Sequence, residues 1–207
     1  MTRPARRSNQ ERREHSTEQV LAAALKRFVR NGYQATSIDD IARDAGLTKG
    51  AVYFYFKGKS ALLLELLSQS SELYRQIFDQ MSSSGTKAAD QLEMFVEWAA
   101  RVGAKNEELL LLPILMSLEF SGRDEVVEQV IDRLYDRYHE QMERGVRQGQ
   151  EEGEFDPELA PRDEAAVLVA FTDGMLLEWL RRSRRLDGNR LVQSAKALIA
   201  GGLRRSQ

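Results

Sequence analysis

The chain has 207 residues, 42% hydrophobic and 30% charged, enough apolar content for one large domain or a small one joined to a larger one. It contains no cysteine, which excludes disulfides, thiolate metal sites and thiol nucleophiles, and no apolar run reaches the ~18 residues of a membrane span. The net charge of −2 conceals a division, because residues 1–60 hold twelve Lys/Arg against six acidic residues and the remainder is net acidic, so that one part is suited to a polyanion.

At the N-terminus, residues 1–14 read as a flexible basic arm with Arg3, Arg6, Arg7, Arg12 and Arg13. It lacks the apolar stretch of a secretory signal, so a cytoplasmic protein is expected. The first helix is expected from about Thr17 to Arg30, with Val20, Leu21, Ala24, Leu25, Phe28 and Val29 on one face and Asn31-Gly32 as its stop. A short helix follows from Ser37 to Asp44, N-capped by Thr36 in an approximate capping box with Asp39. Gly46 ends it, and Thr48 caps a third segment reaching about Tyr55. Lys59 or Ser60 then opens a long helix through Phe78, followed by the linker Ser82-Ser83-Ser84-Gly85. Further helices are expected at roughly 87–103, 106–120, 123–151, 161–185 and 189–204, with Pro113 kinking or interrupting the second of these. No strand pattern, internal repeat or low-complexity tract occurs, so the fold class is all-α.

Residues 36–56 have the proportions of a helix-turn-helix, with the turn Ala45-Gly46-Leu47 between two short helices. In the second of them Val52 and Phe56 share the side that packs inward with Ile41 and Leu47, while Lys49 and Tyr53 share another. Thr48, Lys49 and the backbone amides of that helix N-terminus suit a phosphate. Gly50 has no side chain to hold a duplex away, and Ala51 is small enough to meet a thymine methyl. The hydroxyls of Tyr53 and Tyr55 are donors for phosphate oxygens.

The string FVRNGYQATSIDDIARDAGLTKGAVYFYFKGKSALL, Phe28 to Leu63, resembles the DNA-binding signature of the TetR family of bacterial transcriptional regulators. The resemblance rests on Gly32-Tyr33, Thr36-Ser37, Ile41-Ala42, Ala45-Gly46-Leu47, Thr48-Lys49-Gly50, Tyr53, Phe56 and Lys57-Gly58-Lys59. It implies that Thr36, Ser37, Thr48, Lys49, Gly50, Ala51, Tyr53, Phe54 and Tyr55 meet DNA and that Lys59 grips a phosphate. Many family members have His where this chain has Tyr55. The implied organisation is a three-helix DNA-binding domain over 15–60 and a larger helical effector-binding and dimerisation domain over 61–207. The implied function is a homodimeric repressor released from a double-stranded DNA operator by a small molecule.

For that molecule, the candidate contacts are Phe95, Trp98 and Arg101 on one helix, Met116 and Phe120 after Pro113, Tyr135 and Tyr138 on the longest helix, and Asp173. An aromatic and methionine-rich lining favours an apolar or amphipathic effector. Near the C-terminus, apolar residues surround the helix from Ala165 to Leu180, so it must be covered on most sides. Ala166, Ala170, Gly174 and Leu177 there, with Leu191, Ala195, Leu198 and Gly202 on the last helix, are the expected homodimer face.

An enzyme is disfavoured. The two histidines, His15 and His139, lie in separate segments, no glycine-rich phosphate loop is present, and no cofactor is implied. A helical protein-interaction scaffold is the alternative, and the polar, glycine-containing third helix beside basic residues argues against it.

Overall fold

The computed structural model describes residues 9–182 and 185–204. These form eight helices: α1 (Asn9–Asn31), α2 (Ile38–Asp44), α3 (Lys49–Tyr55), α4 (Lys59–Ser83), α5 (Ala88–Phe120), α6 (Glu125–Glu151), α7 (Pro161–Arg182) and α8 (Gly188–Leu203). The first helices form a small bundle of helix-turn-helix type, and the later ones a larger helical body, so the fold is all-α. Among the described residues no helix is long and apolar enough to cross a membrane.

Helix α1 starts two turns earlier than its apolar stripe suggests. Glu11 lies in its positive first turn, and Gln10 donates to Glu14 at 3.0 Å, one turn on. Arg12 and Arg13 therefore sit on a helix and not on an extended arm; Arg3, Arg6 and Arg7 lie outside the described residues. The cap of α2 is also displaced by one residue. Ser37 is the N-cap, its hydroxyl accepting from Asp40 N at 3.1 Å while the Asp40 carboxylate accepts from Ser37 N at 3.3 Å. Thr36 is buried and donates its hydroxyl to Gly32 O at 2.8 Å.

Helix α5 contains the other departure. Asn106 has φ −134° and ψ 41°, which divides α5 into two arms matching the expected pair of helices. Pro113 stays in helical backbone, so α5 is interrupted at Asn106 and not at Pro113. A proline cannot donate to the carbonyl four residues earlier, here Leu109 O. The buried Ser70 hydroxyl on α4 approaches that oxygen at 2.7 Å and satisfies it.

The apolar core has two parts. One joins Val20, Phe28, Ile41, Val52, Leu62 and Leu66 to Leu112, Met116, Phe120 and Ile131 of α5 and α6. The other gathers Tyr74, Phe78, Phe95, Trp98, Tyr138, Phe155 and Leu168. Helix α4 runs through both, which ties the front bundle to the body.

Candidate functional site

The turn between α2 and α3 depends on Gly46, whose φ of +68° is in the left-handed region, and it closes with Leu47 N donating to Ala42 O at 2.9 Å. The α3 N-cap is Thr48, its hydroxyl accepting from Ala51 N at 3.2 Å. Val52 is fully buried and anchors α3, which turns the opposite side outward. On that side Thr48, Lys49 and Gly50 are exposed, Tyr53 is 50% exposed and Phe54 is 73% exposed, while Ala51 and Tyr55 are half-buried. Ser37 is exposed at the start of α2. Lys49 Nζ pairs with Asp39 at 2.8 Å, which raises the pKa of Lys49. Asp40 is held at about 2, first by the Ser37 hydroxyl hydrogen bond and then by the Ser37 amide and Arg43. Arg13 of α1 lies over the Phe54 ring at 6.0 Å, so the first turns of α1 border the same surface.

Two residues expected at this surface face elsewhere. Thr36 is 2% exposed and closes the α1–α2 turn. Lys59 Nζ donates to Tyr33 O at 2.7 Å and Thr36 O at 2.9 Å and lies 4.1 Å from the Tyr33 ring centroid. Its ammonium is spent on the protein's own turn. Burial lowers the Lys59 pKa, partly countered by Glu119.

Glu119 belongs to the same junction, a role that its position in the sequence gave no sign of. From the end of α5 its carboxylate accepts from Tyr33 N at 2.8 Å and Gln34 N at 2.7 Å. Gly32 has φ +84°, and a Cβ there would lie 3.4 Å from the same carboxylate. The Tyr33 ring packs between Phe28 and Phe120, with centroids 5.2 and 4.9 Å away. The α1–α2 turn is thus held by the body from one side and by α4 from the other.

A cavity of about 510 Å³ lies between the first arm of α5, α7 and α8, with Tyr74 of α4 in its wall. Its lining is mainly apolar and includes Trp98, Gly103, Leu110, Leu176, Trp179 and Leu191. Of the sequence-based candidates, Trp98, Arg101 and Asp173 line it, Arg101 from an exposed position. Phe95, Tyr135 and Tyr138 stand behind the wall: Phe95 stacks on Trp98 with centroids 5.7 Å apart, and Tyr135 donates its hydroxyl to Asp173 at 2.9 Å. Tyr138 is fully buried, and its hydroxyl is without a hydrogen-bond partner among the described residues. Met116 and Phe120 are elsewhere, in the core shared with the front bundle. Burial pushes the Asp173 carboxyl up to about 6, against the lowering effect of the Tyr135 hydrogen bond. Tyr74, missed from sequence, stacks toward Trp98 and Tyr138 at 5.7 and 5.1 Å and is itself raised in pKa by burial.

The expected dimer face divides in two. Ala166, Ala170, Gly174, Leu198 and Gly202 are exposed in the single chain, as are Val167 at 62% and Leu180 at 44%, while Leu177 is half-buried. Ala195 is buried within the protomer and Leu191 belongs to the cavity wall, because α8 turns those positions toward α5.

Comparison with known proteins covers nearly the whole chain. Residues 20–66 match the family described as bacterial regulatory proteins, tetR family, and residues 88–204 match the BetI-type transcriptional repressor C-terminal family. The MbdR regulator from Azoarcus sp. CIB has 38% sequence identity, a TM-score of 0.83, and alignment over 91% of this chain and 98% of that one. The HTH-type transcriptional regulator AcrR from Shigella flexneri is 27% identical over 203 residues, covering 97% of this chain and 91% of its own. The FadR regulator from Bacillus subtilis, solved with stearoyl-CoA, shares the fold with 21% identity and a TM-score of 0.73, over 90% of this chain and 99% of its own.

Proposed function

The chain belongs to the tetR family of bacterial regulatory proteins, whose general function is ligand-responsive repression at DNA and not catalysis, and we propose that it works as a homodimer reading operator DNA through α3. The observation that carries this reading is the outward side of α3. A capped helix N-terminus, an exposed lysine, a glycine and exposed aromatic side chains share one surface, and Val52 anchors the helix beneath them. Thr48, Lys49 and the free amides would hold a phosphate, and Gly50, Ala51, Tyr53 and Phe54 would approach base edges or sugar. Tyr55 and Ser37 flank that contact. Thr36 and Lys59 act indirectly by fixing the turn that positions α2.

Dimerisation would use the exposed side of α7 and α8. Val167, Leu180 and Leu198 are large apolar residues in water, and the small residues Ala166, Ala170 and Gly174 give a second copy close approach. A dimer presents two α3 helices to major grooves ~34–36 Å apart, so a small rotation of each front bundle destroys register. The cavity is the proposed effector site. Its wall includes Gly103 and Ala104 before the Asn106 break and Leu110 after it, and the second arm of α5 ends at the Glu119 clamp. A ligand that reorients that arm would carry the front bundle with it.

The test is fluorescence anisotropy of tiled DNA fragments from upstream of the gene, against a shuffled control and at several salt concentrations. One fragment should bind far more tightly than the control, with affinity falling steeply as salt rises. Replacing Lys49 and Tyr53 together by Ala should weaken that binding about a hundredfold at unchanged helicity. Unchanged affinity in the double variant would refute α3 as the reading helix.

A further inference from the structure

Among the described residues, Asp173 is the one acid in the cavity wall without a cationic partner. Its carboxylate receives a single hydrogen bond, from the Tyr135 hydroxyl. The influences on it are burial and that bond, and among the described residues no Lys, Arg or His contributes. Arg101 faces the same cavity but from an exposed position, and the other acid in the wall, Glu97, is paired with Lys196 at 2.7 Å. A half-buried carboxylate without a cation is costly, and such a group in a cleft is a candidate contact for a ligand.

The surroundings specify what that something is. Tyr74, Trp98 and Trp179 line the cavity, and aromatic faces attract cations in desolvated sites. The fully buried Tyr138 hydroxyl lies beside Thr172 of the cavity wall. An anionic head group at this depth would meet Asp173 with like charge. An uncharged ligand would leave the carboxylate as it stands. A cation removes the mismatch.

We infer that the cavity selects an apolar molecule carrying a protonated amine, with the ammonium group seated on Asp173 and the apolar portion between Trp98, Leu176 and Trp179. The inference rests on the reading of this cavity as the effector site and adds the chemical class of its ligand. A protonated amine donates hydrogen bonds to Asp173 while its hydrocarbon part fills the apolar lining, and the volume of about 510 Å³ accommodates a drug-sized molecule.

The test uses three probes of one shape: 4-phenylbutylamine, 4-phenylbutanol and 4-phenylbutyrate. Trp98 and Trp179 are the two tryptophans of the chain and both line the cavity, so intrinsic fluorescence reports occupancy directly. The amine should bind at least tenfold more tightly than the alcohol, with the carboxylate weakest. In Asp173→Asn, whose fold is checked by circular dichroism, the amine should fall to the level of the alcohol, which itself changes little. Equal binding of amine and alcohol, tighter binding of the carboxylate, or an amine preference that survives Asp173→Asn would each overturn the inference while leaving the cavity as a ligand site. If none of the three perturbs either tryptophan, the effector-site reading falls and the inference with it.

Discussion

Glu119 and Asp173 are both carboxylates on helices of the body, and their surroundings treat them oppositely. Glu119, at the end of α5, receives two backbone N–H donors at 2.7 and 2.8 Å and lies near the Lys59 ammonium. Asp173, within α7, receives one phenol hydroxyl and is pushed up to about 6 by burial. The first arrangement satisfies its charge internally and so resists movement. The second leaves a carboxylate without a cation at the wall of a cavity, the property on which the proposed ligand site rests. The two are linked by the second arm of α5, which starts at the Asn106 break beside the cavity and ends at the clamp. On the proposed reading, rigidity at one end and unmet demand at the other would let a local binding event move the front bundle.

Removing the satisfied carboxylate should have the largest effect. A hydrogen bond to a charged acceptor contributes about 1.5–3 kcal/mol, so Glu119→Ala should cost about 3 kcal/mol after allowance for the exposure of Gln34. Urea denaturation measures the loss. Amide exchange gives a sharper reading: the Tyr33 and Gln34 amides should exchange much faster, while those of α6 keep their protection. Glu119→Gln retains one acceptor oxygen and should fall between the two. Wild-type exchange at Tyr33 in the Ala variant would remove Glu119 as the clamp.

How far this contrast was legible in the sequence follows from the distance between partners. The helix-turn-helix occupies some twenty consecutive residues, so local signals sufficed: Gly46 for the turn, Thr48 for the cap, Val52 for the buried side. Even there, Thr36 and Ser37 both satisfy a capping pattern, as do Asp39 and Asp40 three residues later, and only packing selects the second pair. The clamp joins residues 86 apart, which no spacing rule reaches. Lys59 likewise reads as an exposed phosphate anchor until Tyr33 O and Thr36 O are placed beside it. In the cavity, Trp98 and Arg101 share one helix and are found together, whereas Tyr74 lies on a different helix, α4, and reaches the wall only through packing. Met116 and Phe120 were drawn in by an expected bend at Pro113. The sequence places Leu191 on the dimer face because the α8 stripe has two sides that hydropathy alone does not separate.

The unmet carboxylate makes the opposite prediction. The folded state holds the Asp173 proton more tightly than the unfolded chain, at about 6 against 3.8. Its destabilising effect is therefore absent below pH 3.8, grows between 3.8 and about 6, and is complete above that, where the native state carries the charge. That charge costs up to about 3 kcal/mol at pH 8, from roughly two pKa units. Asp173→Asn keeps an acceptor for the Tyr135 hydroxyl and removes the charge. The variant should be more stable than wild type by about 2 kcal/mol at pH 8 and about equal to it at pH 4. Denaturation curves at both values decide it, and a destabilised variant at pH 8 would show that the ionised form is already accommodated by the chain.

The smallest of these effects concerns Ser70, which lies between the two sites and has a compensating partner for its loss. Its hydroxyl approaches Leu109 O at 2.7 Å and Leu66 O at 3.1 Å, and Pro113 is the reason Leu109 O needs a donor from another helix. Ser70→Ala should therefore cost about 1–2 kcal/mol, the penalty of a buried carbonyl left unpaired. Pro113→Ala restores a backbone N–H that can reach Leu109 O within α5. In that background Ser70→Ala should cost about half as much, so a double-mutant cycle should show coupling of about 0.5–1 kcal/mol. Strict additivity would mean that Ser70 serves its own turn through Leu66 O. The second arm of α5 would then be held to the rest of the protein by apolar packing, the Arg30–Glu108 ion pair and the clamp at its end.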